Sequence, residues 1–172
     1  VGEDGQLLAL PAGSPDSPAV DLHALAHALR DAGLSWPVLV RFTDILHQQV
    51  DRLCGAFEAA ITARHYDAVY TAVYPIKVNQ QRQVLEESRD FGEEFGFGLE
   101  AGSKPELLAV LALTAGRDMP VVCNGFKDDE YVEMVILAQK IGRRVLPIVE
   151  KASELDRIVA LGERHGVRTE RG

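Results

Sequence analysis

Three polar side chains lie within or at the ends of apolar stretches of this chain, and their types are suited to chemistry. Lys77 lies inside the run Tyr74-Pro-Ile-Lys-Val-Asn79, whereas Glu100 and Asn124 each end an apolar run. An ammonium group is costly in a sheet interior unless it is paired or deprotonated, and a desolvated lysine has a lowered pKa. Such an amine is nucleophilic and suits a Schiff base with a carbonyl cofactor. Lys77 is therefore a candidate for amine chemistry.

Two of these residues also have an ordinary structural interpretation, which the sequence leaves open. If the strand ends by Ile76, Lys77 is a surface lysine at the mouth of the sheet. Glu100 either approaches Lys77 from the next strand, to hold an ammonium group or orient a ring nitrogen, or is an acid near a helix start at Ser103. The run Asp128-Asp129-Glu130 resembles a metal triad on paper. We favour a helix start for it, because acids there complement the helix dipole.

These residues lie at the ends of a repeating strand and helix pattern. Apolar segments typical of buried strands cover 69–78, 97–101, 119–124 and 144–150. Each is followed by an amphipathic segment that predicts a helix, over 81–91, 104–114, 128–141 and 153–165. Buried strands that alternate with helices favour right-handed crossovers and a parallel sheet, so the predicted fold class is α/β. In such folds ligands bind at the carboxyl ends of the strands.

The segments before this pattern are predicted to lead into it. We interpret residues 1–20 as an extended lead-in and 21–66 as a helical segment. Asp21 is a suitable N-cap for a helix over 22–32 that Gly33 ends, 38–42 is a strand candidate, and Thr43 caps a long helix. Four strand and helix units follow residue 67, or five if 38–42 counts. The periodicity alone fits both an open doubly wound sheet and part of an eight-unit barrel.

Composition narrows the classes of partner and compartment. The 172 residues carry a formal net charge of −8 and are 47% hydrophobic, which is typical of a globular domain. No apolar run approaches the roughly 20 residues of a membrane-spanning helix. The 18 basic residues are dispersed, so we expect no nucleic acid partner. Two distant cysteines amid apolar neighbours favour a reducing compartment, and we expect a cytoplasmic protein.

Several motifs, in this order and spacing, resemble a known enzyme family. They are Val73-Tyr-Pro-Ile-Lys-Val-Asn-Gln-Gln81, Phe97-Gly-Leu-Glu-Ala-Gly-Ser-Lys-Pro-Glu-Leu107 and Val122-Cys-Asn-Gly-Phe-Lys-Asp128. Together they resemble the biosynthetic arginine decarboxylases, which use pyridoxal 5'-phosphate on an alanine-racemase-like barrel. Residues 37–42 and 145–155 are similar to that family as well. The resemblance implies that 67–172 form the first four units of a TIM-type barrel, about its first half.

The resemblance also implies a reaction and the residues that serve it. Lys77 corresponds to the lysine that forms the Schiff base with the cofactor. Glu100 corresponds to the acid that neighbours this lysine in related decarboxylases, and Asn124 faces the cofactor. The implied reaction converts L-arginine to agmatine and CO2, the first step of a route to putrescine and spermidine. A homo-oligomer is implied for the full-length enzyme, and so is a magnesium ion, for which the sequence gives no ligands.

The resemblance further implies that these 172 residues hold only part of the site. In this fold type the phosphate loop, the partner of the pyridine nitrogen and the substrate-binding acids lie in later strands or in a second domain. We therefore expect an amino-terminal portion that does not decarboxylate arginine by itself, and whose open sheet favours self-association. Two alternatives remain open, namely a barrel that only carries pyridoxal phosphate and a non-catalytic doubly wound binding domain.

Overall fold

The computed structural model describes residues 1–11 and 18–168. Residues 1–55 and 56–172 form two compact units. None of the described helices is long and apolar enough to cross a membrane. The predicted subdivision into 1–20, 21–66 and 67–172 stays a prediction.

The first unit begins with a short ladder and a capped helix. Strand β1 (Leu8–Ala9) pairs antiparallel with β2 (Val20–Asp21), so the predicted lead-in contains some regular structure. Part of the lead-in, residues 12–17, lies outside the described residues. Helix α1 (Leu22–Asp31) follows, and the Asp21 carboxylate accepts hydrogen bonds from the backbone N–H groups of residues 23 and 24. Gly33 follows with φ of 84°, which confirms the predicted helix and its stop.

The predicted strand over 38–42 is wrong. These residues are irregular, and the side chain of Leu39 is 71% exposed. A short apolar run does not by itself specify a strand, because it needs a neighbouring strand to accept its backbone hydrogen bonds. Helix α2 (Thr43–Arg64) follows and begins at Thr43 itself. Val50 and Cys54 are its buried residues, whereas Phe57 is 44% exposed.

The second unit contains the parallel sheet that the sequence predicts. Its strands are β3 (Val73–Pro75), β4 (Gly98–Ala101), β5 (Val121–Cys123) and β6 (Val145–Pro147), and each pairs in parallel with the next along the chain. A doubly wound sheet reverses its strand order, whereas a barrel adds each strand beside its predecessor. Within the described residues the order β3-β4-β5-β6 has no reversal, as in an arc of a barrel.

Helices cover one face of this sheet. They are α3 (Arg82–Gly92), α4 (Lys104–Leu113), α5 (Asp129–Lys140) and α6 (Ala152–His165). The helix side chains Leu107, Val110 and Val135 belong to one buried core with Leu99 and Ala101 of β4. The same core contains Val121, Cys123 and Val145 of the next strands. Because side chains alternate along a strand, Glu100 lies on the opposite face, with its register partners Pro75 and Val122.

The strands are shorter than predicted, and the first differs most. Residues 69–78 were expected to form one strand, but the strand covers only Val73–Pro75, and a single 3-10 turn follows over Ile76–Val78. Val69 is 90% exposed. Pro75 has no backbone N–H to donate to a ladder, which is a physical reason for the strand to end there. Lys77 therefore lies in a turn and not in a strand.

The helix starts follow the predicted signals in part. Asp128 caps α5 by accepting a hydrogen bond from the Tyr131 N–H at 2.8 Å, which confirms a helix start at the acidic run. Ser103 occupies the N-cap of α4 without a hydrogen bond from its side chain. Glu106 accepts instead from the N–H of Gly102, the residue before this N-cap, at 2.7 Å. The capping carboxylate is thus turned toward the loop that follows β4.

Candidate functional site

The carboxyl ends of the strands bring the three predicted site residues to one edge of the sheet. Glu100 pairs in register with Pro75, two residues before Lys77. The Asn124 N–H donates to the Ala101 carbonyl at 3.2 Å, so Asn124 continues the ladder between β4 and β5 by one step. The fold therefore places these residues at the ends of three consecutive, adjacent strands, as a shared ligand site requires.

Lys77 is exposed, so the expectation of a lysine inside a buried strand is wrong. The turn over Ile76–Val78 buries Ile76 and leaves the lysine on the outside. Lys104, Lys127 and Lys140 donate hydrogen bonds and Lys151 lies 5.5 Å from the centre of the Phe126 ring, whereas Lys77 has no such contact within the described residues. An accessible amine without a competing partner is free to react with an aldehyde, although its surroundings here are those of a surface lysine.

Glu100 is the residue at this edge with unmet bonding capacity. It is 4% exposed, and both carboxylate oxygens are buried without a hydrogen-bond partner among the described residues. A buried acceptor without a partner costs about 1 to 3 kcal/mol, so such groups in folded proteins call for an explanation. The interpretation of Glu100 as an acid that begins helix α4 does not supply a partner. A ligand that brings a cation or an N–H group to this edge would supply a partner for Glu100.

The loops that follow β4 and β5 approach each other very closely. Gly125 follows Asn124 with φ of 80°, and a Cβ atom there would lie 2.6 Å from the Gly102 carbonyl oxygen. Any larger residue would push the loops after β4 and β5 apart. Glycine at this position therefore keeps the ends of the two strands close together.

Sequence reasoning missed the roles of two charged side chains beside this edge. Lys127 and Glu154 are 1% and 2% exposed, and the Lys127 Nζ lies 3.6 Å from the Glu154 Oε2. The Glu154 carboxylate also accepts from the Lys151 N–H at 3.3 Å. A glutamate three residues after a helix N-cap is a recognised capping signal, and it identifies Glu154 but not its buried partner.

Cys123 is not prepared to act as a nucleophile. Burial raises the pKa of its thiol to about 11, although the Tyr131 hydroxyl and the Lys127 ammonium group lower it. The Tyr131 hydroxyl donates to the Ala101 carbonyl at 2.7 Å, and burial raises the pKa of Tyr131 too. Both groups stay protonated near neutral pH, so the amine of Lys77 is the better candidate.

Comparison with known proteins agrees with this geometry. Residues 48–169 match the family described as pyridoxal-dependent decarboxylase, pyridoxal binding domain. The match covers more than half of the chain and includes every residue of the candidate site. The chain belongs to this family. Pyridoxal phosphate reacts through an aldehyde with a lysine amine, which fits an accessible Lys77.

The curated relatives of this chain carry a consistent name. It is 45% identical over 170 residues to the biosynthetic arginine decarboxylase of Marinobacter nauticus, covering 97% of this chain and 27% of that protein. It is 49% identical over 159 residues to the one from Alkalilimnicola ehrlichii, covering 92% of this chain and 25% of that protein. The chain thus spans about a quarter of the length of the curated relatives it matches.

A solved structure supports the fold of this chain. The crystal structure of the biosynthetic arginine decarboxylase from Campylobacter jejuni aligns with a TM-score of 0.82 at 28% identity, over 98% of this chain and 29% of that one. The four-stranded parallel sheet with its helices matches the N-terminal part of a TIM-type barrel. This match confirms the predicted α/β class and the barrel interpretation.

The described residues fit the cofactor but not a metal ion. The partnerless Glu100 oxygens and the accessible Lys77 amine suit a group that carries an aldehyde and a protonated nitrogen. Within residues 1–11 and 18–168, no group of three or more histidine, cysteine, aspartate or glutamate side chains is arranged to hold a metal ion. The magnesium ion that the resemblance implies therefore finds no ligand set in the described part of this chain.

Proposed function

We propose that Lys77 is the covalent attachment point for pyridoxal 5'-phosphate in this decarboxylase chain. The observation that carries the proposal is the buried Glu100 carboxylate, whose two oxygens have no hydrogen-bond partner at the strand end beside the Lys77 turn. The Lys77 nitrogen would bond to the aldehyde carbon with loss of water. The bound cofactor supplies an electron sink for the electrons that remain when a carboxylate leaves as CO2.

The residues of this chain would hold and orient that group. Glu100 accepts a hydrogen bond from a protonated nitrogen, which compensates the cost of its burial. Asn124 offers both an amide donor and a carbonyl acceptor at the end of β5. Because Gly125 keeps the loops after β4 and β5 together, both side chains stay at the edge that Lys77 reaches.

We further propose that the substrate is L-arginine and the product agmatine, on a route to putrescine and spermidine. The names of the relatives support this assignment over a barrel that only carries the cofactor and over a non-catalytic binding domain. The described residues offer no identified site for a guanidinium group. Substrate choice therefore depends on regions of the relatives that this chain does not match.

Three further expectations belong to the same proposal. The enzyme is cytoplasmic, in keeping with two buried cysteines that are both free thiols. The full-length enzyme is a homo-oligomer that makes no contact with nucleic acid or membrane. Any magnesium ion binds through residues outside the described part of this chain.

A titration with pyridoxal 5'-phosphate tests the cofactor proposal. We expect a new near-ultraviolet absorbance band that saturates with the cofactor, is absent from Lys77→Ala and persists in Lys140→Ala. Lys140 is a suitable control because it is also exposed but lies at the end of α5, at the opposite edge of the sheet. Equal bands from both variants would refute Lys77 as the attachment point.

An assay with L-arginine tests what these 172 residues do alone. We expect no agmatine above background, because the described residues bind the cofactor aldehyde without a substrate pocket. Agmatine production that depends on Lys77 would overturn this expectation and would show that the chain holds a complete site.

A further inference from the structure

Lys127 and Glu154 form a buried ion pair beside the loops that follow β5 and β6. The Lys127 Nζ donates to the Gly125 carbonyl at 2.8 Å and lies 3.6 Å from the Glu154 Oε2. Both charged side chains are almost completely buried. The pair therefore joins the residue after Asn124 to the first turn of α6.

The carboxylates of Glu154 and Glu150 fix the loop after β6. Glu154 accepts from the backbone N–H of Glu150 at 2.9 Å and from that of Lys151 at 3.3 Å. Glu150 in turn accepts from the Gly125 N–H at 3.3 Å and lies 3.9 Å from the Lys127 Nζ. Both backbone polar groups of Gly125 are thus held by this charged cluster.

The contacts continue from Gly125 toward the lysine turn. Gly125 lies so close to the Gly102 carbonyl that only glycine fits. The Gly102 N–H donates to one oxygen of Glu106 at 2.7 Å, and the Gln80 side chain donates to the other at 3.3 Å. Gln80 is three residues beyond Lys77. One continuous path of contacts therefore links the loops after all four parallel strands.

The ion pair of Lys127 and Glu154 is better suited to positioning backbone groups than to stabilising the fold. A buried ion pair often contributes no more to stability than well-packed apolar side chains of the same size. Unlike an apolar contact, however, it holds particular backbone carbonyl and N–H groups at fixed distances and directions. Such directional contacts are useful where loops must hold reacting groups within a fraction of an ångström.

We propose that Lys127 is a positioning residue for the cofactor site. With Glu154 it fixes the loops after β5 and β6, and through Gly125, Gly102 and Glu106 it fixes the turn that carries Lys77. Lys127 does not contact the cofactor in this scheme. The inference rests on the proposed role of Lys77, and its test is designed to separate the two.

The test compares a double variant of the ion pair with a matched control variant. Lys127→Met combined with Glu154→Gln removes both charges, so neither is left buried alone, and the amide oxygen still accepts from residues 150 and 151. Arg143→Met is the matched control, because Arg143 also joins distant segments, donating from the loop before β6 to the Leu111 carbonyl of α4 at 2.9 Å and to the Thr114 hydroxyl at 3.0 Å. These contacts lie at the amino ends of the strands. The single Lys127→Met variant is made as well, but the double variant decides if the single one fails to fold.

Hydrogen exchange and cofactor attachment are the two measurements. In the double variant we expect the Gly125 and Gly102 amides to exchange about tenfold faster, the factor expected from the loss of one hydrogen bond. We expect the apparent affinity of Lys77 for pyridoxal 5'-phosphate to fall by about tenfold as well. Arg143→Met should change neither quantity, even where it lowers stability more. The Leu99 amide, which donates to the Pro120 carbonyl inside the sheet, reports whether the sheet itself has loosened.

Each outcome decides the proposal. Faster exchange at Gly102 together with weaker attachment, both absent from Arg143→Met, supports Lys127 as a positioning residue. Faster exchange confined to Gly125 and the loop after β6, with unchanged attachment, overturns it and leaves a local structural pair. If the unaltered chain shows no selective attachment at Lys77, the proposed function fails. Exchange at Gly102 then still decides whether Lys127 acts beyond its own loop.

Discussion

The two edges of the parallel sheet use charge in different ways. At the amino ends of the strands, charged side chains are partly exposed and satisfy one another. Arg117 lies 2.8 Å from Asp90 and also pairs with Glu93, whereas Arg89 binds Asp90 at 2.7 Å and the Leu113 carbonyl at 3.0 Å. At the carboxyl ends, Glu100 is buried without a hydrogen-bond partner and Lys77 is exposed without one, within the described residues. Ion pairs occur at both edges, but the carboxyl edge also leaves the bonding capacity of Glu100 open.

This difference indicates which edge serves stability and which serves function. Exposed ion pairs contribute little, but they cost little and leave nothing buried unpaired. A buried carboxylate with two free oxygens lowers stability, and such a feature is retained where a ligand completes it. In barrels of this kind the carboxyl edge is where catalytic residues lie. The open acceptors of Glu100 therefore favour the carboxyl edge, which is also the edge that the barrel fold indicates.

The largest expected effect comes from two glycines with the same backbone angle at opposite edges. Gly125 and Gly142 both have φ of 80°, but only Gly125 faces a carbonyl oxygen at 2.6 Å, whereas nothing lies within 4 Å of a Cβ at Gly142. Gly125→Ala should lower the free energy of unfolding by about 2 to 5 kcal/mol, from strain plus overpacking. Gly142→Ala should lower it by about 1 to 2 kcal/mol, from strain alone. Urea unfolding measures both, and equal losses would contradict the close approach of the two loops.

A change at Glu100 should separate stability from function. Glu100→Met removes two buried oxygens that have no partner in the described residues, so the free energy of unfolding should rise by about 1 to 3 kcal/mol. Cofactor attachment at Lys77 should weaken in the same variant, because an acceptor for the bound group is lost. A variant that is less stable than the unaltered chain would show that Glu100 has a partner which the described contacts lack.

The buried ion pair of Lys127 and Glu154 predicts how the stability of the fold depends on pH. Burial works to raise the pKa of Glu154, but the Glu150 N–H, the Lys127 ammonium group and the Lys151 N–H outweigh it and hold that pKa below its usual 4.5. A group with a lowered folded-state pKa stabilises the fold above its unfolded pKa, and this contribution is lost as pH falls through the folded value. We therefore expect stability to decline below pH 4.5, and to decline less steeply in Glu154→Gln. Parallel pH profiles of urea midpoints for the two proteins would refute this role for Glu154.

The smallest loss of stability is expected for a change at the amino edge of the sheet. Arg117→Ala removes ion pairs whose side chains are 30% to 59% exposed, so the loss should stay below about 1 kcal/mol. Attachment of pyridoxal phosphate at Lys77 should not change. A clear loss of attachment in this variant would show that the two edges are coupled, and it would weaken the division of roles described above.

Much of the fold was predictable from sequence because its signals are local. Apolar strands, amphipathic helices and the glycines at helix ends fix the four units after residue 67, and Asp21 and Asp128 cap their helices as expected. The segment over 38–42 failed because an apolar run does not specify its neighbour. The doubly wound alternative was excluded by the match to a solved barrel and by strand order, which depends on pairing between distant segments.

The sequence predicted where the candidate site lies, but not the burial or the partners of its side chains. Parallel strands bring their carboxyl ends together, so the residues at those ends were expected to meet. The exposure of Lys77 depends on a turn that begins after Pro75, and the open acceptors of Glu100 depend on what packs around it. The pair formed by Lys127 and Glu154 joins residues 27 positions apart, which no periodicity reports.

The most direct test of the central claim is borohydride reduction of this chain after incubation with pyridoxal 5'-phosphate, followed by peptide mapping. The chain has only five lysines, so each attachment site can be quantified against the others. At low cofactor concentration we predict selective label at Lys77, little at the exposed Lys140 and Lys151, and loss of the selective label in Lys77→Ala. Label spread evenly over the exposed lysines would contradict a cofactor site at the carboxyl edge of this sheet.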